Sequence, residues 1–141
     1  MKKIDRFVGR YEFLSNFYLT TITYNGLVFS SAEAAFQAQK CTDLRVQMQF
    51  QAMSPRQAKA LGRKVILRPD WEDIKLRIMY QVLQAKFNQN QNLTDALLRT
   101  APAYIEEGNT WNDTFWGVCH GTGLNHLGHL LMKVRDELSN R

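Results

Sequence analysis

A chain of 141 residues is one domain's worth, and 45% hydrophobic with 22% charged residues excludes wholesale disorder. No apolar run approaches the roughly 20 residues of a membrane span. The opening Met1-Lys2-Lys3 is not followed by the apolar stretch of a secretory leader, so a cytoplasmic setting is expected. The net charge of +5 and the pI near 9.4 favour anionic partners, but without the dense Lys/Arg block of a nucleic-acid tail.

In chain order, FYLTTITY (17–24) is β-branched and aromatic, Asn25-Gly26 follows, and LVFS (27–30) comes next, which predicts a β-hairpin. A helix is expected from about Ser31 to Cys41, opened by a Ser30-x-x-Glu33 capping box. At about 100° per residue, Glu33, Gln37 and Lys40 share a stripe roughly 60° wide. A second short helix is expected over 43–51, with no domain linker after it. Ser54 as N-cap, Pro55 in the first turn and Gly62 at the end define a third.

The longest helix spans 69–89, with Trp71, Ile74, Ile78 and Val82 as its apolar stripe and Met79 alongside. Lys75 and Lys86 lie on or beside that stripe, either snorkelling to water or bordering a cleft. NLTDALLRT (92–100) predicts another helix stopped by Pro102, and AYIEEG (103–108) a short strand. A polar, aromatic and glycine-rich loop follows, and then an amphipathic helix from near Leu124 to Leu138. The expectation is an α+β fold: a mostly α-helical single domain over 1–141 with a small antiparallel β-sheet.

Cys41 and Cys119 are far apart and lack CxxC spacing, which predicts reduced thiols. Cys119, His120, His126 and His129 invite a metal reading. Leu124, Leu127, Leu131, Val134 and Leu138 define the buried face, however, and His126 and His129 point away from it, so no metal is expected. Gly121 and Gly123 precede a helix start, where free N–H groups suit a phosphate; the alternative is a flexible loop. Trp111, Asn112, Asp113 and Trp116 read either as core and turn residues, or as a functional loop whose indoles serve as platforms for a planar base.

Six ordered blocks carry a resemblance: FLSNF (13–17), SSAEAAFQAQK (30–40), ALGR (60–63), WEDIKLRIMYQVLQAKF (71–87), NDTFWG (112–117) and GLNHLGHLLMKVR (123–135). Together they resemble the YbiA-like, or NADAR, N-glycosidase family across nearly the whole chain. The resemblance implies hydrolysis of the bond between a ribose and a base-like nitrogen, and no cofactor is expected. Its two substrate classes are ribosylamino-pyrimidine phosphate intermediates of riboflavin biosynthesis and ADP-ribose attached to guanine in DNA or RNA. It carries over Glu33, Trp71 and Asp113 as active-site positions, with Asn16, Lys40, Lys75 and Trp116 lining the pocket. Ala34-Ala35 and Val118-Cys119-His120 depart from the family pattern at the rim and bear on substrate choice.

N-glycoside cleavage builds positive charge on the sugar and requires the base to leave with a proton, so Glu33 and Asp113 are the natural carboxylate pair. Lys40 is either a nucleophile towards C1 of the ribose or a cation for phosphate. A non-catalytic binder of ADP-ribose or nucleic acid is the rival, but buried carboxylates gain it nothing.

Overall fold

The computed structural model describes residues 2–141. Its strands are β1 (Lys3–Ile4), β2 (Leu19–Tyr24), β3 (Leu27–Ser31), β4 (Tyr104–Ile105), β5 (Gly108–Asn109) and β6 (Val118–Cys119). Its α-helices are α1 (Ala32–Ala38), α2 (Leu44–Gln49), α3 (Pro55–Gly62), α4 (Trp71–Asn88), α5 (Gln91–Arg99) and α6 (His126–Ser139). The fold is α+β and mainly helical. The chain divides into two units, Asn16–Gln89 and the residues up to Ser15 with Asn90–Arg141.

In the unit Asn16–Gln89, Asn25 (φ 50°) and Gly26 (φ 79°) form the turn of the β2–β3 hairpin, the positive-φ pair that matches strand twist. Ile22, Tyr24, Phe29 and Ser31 alternate inward from the two strands. Every residue of α1 is buried, and its alanines let α3 and α4 approach closely.

The start of α1 differs from the expectation. Ser31, not Ser30, is the N-cap, its Oγ accepting from the Ala34 amide at 3.1 Å. Strand alternation turns Ser30 the other way, and its hydroxyl donates to the Met53 carbonyl. Glu33 is therefore the second helical residue, its amide donating to the Asn16 carbonyl at 2.9 Å, and no capping box forms around it. The helix also ends at Ala38, so Lys40 lies in the turn beyond it. By contrast, α3 carries its box in full: Ser54 and Gln57 cap each other, with Pro55 at the start.

The stripe of α4 is buried as its spacing requires, and Lys86 is buried with it at 1% exposure. Its amine does not snorkel; it lies 5.8 Å from the Tyr18 ring centroid and 5.2 Å from that of Phe87. Burial pulls it from the ordinary 10.5 to about 7. Between those values the unfolded chain holds the extra proton, so this group makes folding more favourable as pH rises, by up to ~1.4 kcal/mol per pH unit. Lys86→Met lacks that slope. Denaturant titrations at pH 6 and pH 9 are expected to show the variant's relative stability higher at pH 6, by on the order of 2 kcal/mol.

In the other unit, β1 pairs with β4 and β5 with β6, both parallel and two residues long. These pairs were not expected beside the antiparallel hairpin; two residues carry no periodicity to read. Helix α6 buries Leu127, Leu131, Val134 and Leu138, and Arg135 ties it to Thr100 Oγ1 (3.0 Å) and the Ala103 carbonyl (2.8 Å). It begins at His126, because Asn125 adopts φ 55°, and Leu124 is exposed outside it. Cys41 and Cys119 are free thiols, both buried. Among the described residues, no helix is long and apolar enough to cross a membrane.

Candidate active site

The unit Asn16–Gln89 gathers five of the predicted residues around α1. Glu33 is 9% exposed, and its Oε2 accepts from Gln37 Nε2 at 2.6 Å. Lys40 is half-buried at the end of the same segment. Burial pushes its amine below the ordinary lysine value; the Glu33 carboxylate opposes that, while Arg63 and Lys75 add to it and Glu72 again opposes. These influences place two carboxylates and three cations in one neighbourhood, a surplus of positive charge suited to a phosphate-bearing ligand. Lys75 reaches Glu72 Oε1 at 2.7 Å.

Trp71 and Asn16 complete the frame. Trp71 is buried, its ring tilted against Phe36 of α1 with centroids 5.1 Å apart. Asn16 is 7% exposed. Its main-chain carbonyl holds the Glu33 amide, and its Nδ2 donates to Met79 Sδ at 3.4 Å. Asn16 thus fixes where α1 starts. Arg63 and Glu72 belong to this cluster and were not singled out in the sequence, although both lie inside the quoted blocks ALGR and WEDIK.

Asp113, Trp116, Gly121 and Gly123 belong to the other unit. There Asn109 Oδ1 accepts from the Trp111 and Asp113 amides, and Asn109 Nδ2 donates to the Asp113 carbonyl and to Glu107 Oε2. Asp113 Oδ1 accepts from the amides of Phe115 (3.1 Å) and Trp116 (2.9 Å), so the carboxylate also shapes its own loop. Trp116 is half-buried and stands edge-on to Phe115, whereas Trp111 is exposed.

The phosphate reading of the α6 start is corrected. The amides of His126 and Leu127 donate to the carbonyls of Phe115 and Trp116, so these N–H groups are already used. A Cβ at Gly123 would collide with the Gly117 carbonyl, which gives that glycine a packing reason. Gly121 (φ 80°) has open space around it and serves a turn. Among the described residues, no three His, Cys, Asp or Glu side chains gather as a metal-binding group.

An α+β fold that buries a carboxylate beside a partly desolvated amine is the framework of a small enzyme. Residues 6–139 match the NADAR domain. The chain is 40% identical to N-glycosidase YbiA of Escherichia coli K12, over 92% of this chain and 82% of that protein. Its fold is similar to the NMR structure of E. coli YbiA, with a TM-score of 0.87, 37% identity and coverage of 99% of this chain and 88% of that one. A riboflavin biosynthesis protein of Vibrio vulnificus is 40% identical over 89% of this chain, which spans only 35% of that longer protein. The chain belongs to the NADAR domain family.

Proposed function

We propose that the chain hydrolyses the bond between a ribose and a base-like nitrogen on a phosphate-bearing substrate, with Glu33 and Lys40 at the reacting carbon. The N-glycosidases among its relatives make it a hydrolase of N-glycosidic bonds. The observation that carries the residue assignment is the buried Glu33 carboxylate acting electrostatically on a Lys40 amine that burial holds below its ordinary value.

The chemistry follows from these groups. As the C1–N bond breaks, its electron pair leaves with the base, which takes up a proton, and C1 gains positive charge. The Glu33 carboxylate stabilises that charge in a low-dielectric setting. Water supplies the oxygen of the released sugar. Arg63 and Lys75 are assigned to substrate phosphate. Asp113 as a second acid and Trp116 as a substrate contact rest on the family resemblance alone. A reducing, cytoplasmic setting suits the two free thiols.

Two substrates fit this reading: ADP-ribose on guanine in DNA or RNA, and ribosylamino-pyrimidine phosphates, the latter favoured by the riboflavin name of the Vibrio relative. The test is incubation of the protein with each, followed by mass spectrometry of the released sugar. Multiple-turnover release of free sugar phosphate or ADP-ribose from at least one is expected. Binding without release from either overturns the proposal in favour of a non-catalytic binder.

A further inference from the structure

We infer that Gln37 is the positioning residue for the Glu33 carboxylate, and that Gly62 is the seat that fixes Gln37. The inference rests on the reading of Glu33 as the reacting carboxylate and adds the device that aims it. Gln37 lies one helical turn after Glu33 and is 6% exposed. Its Nε2 donates to Glu33 Oε2 at 2.6 Å.

The other end of the amide lies against α3. A Cβ on Gly62 would run into Gln37 Oε1 and come within 2.8 Å of Gln37 Cδ, so any larger residue there requires this carboxamide to move from its place. Gly62 has an ordinary helical backbone, which means that its use is space rather than a special φ. Gln37 Oε1 is sealed from solvent and has no hydrogen-bond partner. It therefore cannot meet a substrate where it stands, and nothing at the Gly62 end dictates which way the amide faces.

What dictates it is Glu33. An ionised carboxylate only accepts, so it selects the orientation that presents the N–H₂ end. The reverse orientation would set oxygen against oxygen and is tolerable only when Glu33 carries the proton. By donating, Gln37 favours the charged form and holds one oxygen in place, leaving the carboxylate aimed as a charge stabiliser and proton acceptor.

The other charged groups around this pair are few. Lys40, at the end of the same segment, interacts electrostatically with Glu33, and with Arg63 after α3 and Glu72 and Lys75 of α4. Strand β3 and the turn Phe50–Ala52 bring no titratable side chain, and Tyr24 of β2 is bonded to Gln81. Arg45, Arg56, Asp73 and Arg77 are exposed, Lys59 lies over Phe17, and Lys86 lies against Tyr18 and Phe87.

The test uses the full chain with the better substrate of the release assay, comparing initial rates from about pH 4 to 9 for the parent, Gln37→Met and Gly62→Ala. Both variants are expected to lose about tenfold or more in kcat with KM within about twofold, and to move the acid limb of the pH–rate profile to higher pH. If Gln37→Met does not fold, Gly62→Ala decides alone, since it leaves both polar side chains chemically intact and alanine suits a helix. A folded variant with the parent's kcat and an unmoved acid limb overturns the inference. Should Glu33→Gln be inactive in that same experiment, only the role of Gln37 falls; should Glu33→Gln turn over like the parent, the reading beneath it falls as well.

Discussion

Glu33→Gln is expected to lose on the order of 10³-fold in kcat while folding like the parent. The two halves of that expectation have separate causes. Stability is spared because Ser31, not Glu33, closes the first turn of α1. The backbone amide that pins residue 33 to the Asn16 carbonyl does not depend on the side chain. Loss of a negative charge in the first turn costs about 0.3–1 kcal/mol, and the replacement amide oxygen still accepts from Gln37. Activity is not spared, because a neutral amide neither takes a proton nor balances a developing positive charge on the sugar. Thermal melting and sugar release, measured on one preparation, check both halves. A variant that melts like the parent and also turns over like it would return Glu33 to an ordinary first-turn acid.

That separation was not legible in the sequence, where Ser30-x-x-Glu33 has the form of a capping box. The two consecutive serines offer two possible caps, and a residue far upstream in local terms, Asn16, chooses between them through a main-chain bond. Local signals were decisive only where the structure is local. Asn25-Gly26 gave its hairpin, and Ser54, Pro55 and Gln57 gave α3 its start. The stripes of α4 and α6 gave their buried faces, since each is set by periodicity within one element.

What escaped depends on pairing between distant segments. The carbonyls of Phe115 and Trp116 consume the N–H groups at the start of α6, and no spacing rule reveals that. Lys86 reads like any lysine beside a stripe until the Tyr18 ring is seen over its amine. For the candidate site, the stripe of Glu33 and Gln37 was visible because it lies within a single helix. Arg63 and Glu72 joined it only when α3 and α4 were folded against α1.

Sodium borohydride added during turnover is expected to attach the substrate's sugar to Lys40, found by peptide mass mapping. The amine stands where burial lowers its proton affinity, and a larger fraction is therefore neutral and nucleophilic at a given pH than for a lysine in water. Its nitrogen lone pair would form a bond to C1 as the C1–base bond breaks and the base departs with a proton. Opening the ring moves the C1–O4′ pair onto oxygen and leaves a Schiff base. Water then adds to C1 and the C1–Nζ bond breaks, regenerating the amine and releasing the sugar. Borohydride intercepts the Schiff base by delivering hydride to C1, which makes the link permanent. Lys40→Arg keeps the positive charge for a phosphate but supplies no usable nucleophile, so a loss on the order of 10²-fold or more is expected, with no adduct. Glu33 opposes the lowering at Lys40, so Glu33→Gln should leave the amine neutral at lower pH than in the parent. Trapping in that variant, if it accumulates any intermediate, should therefore extend to more acidic conditions. Full activity in Lys40→Arg, or turnover of the parent without any adduct on Lys40, would instead assign this lysine to charge balance and leave water as the direct attacking group.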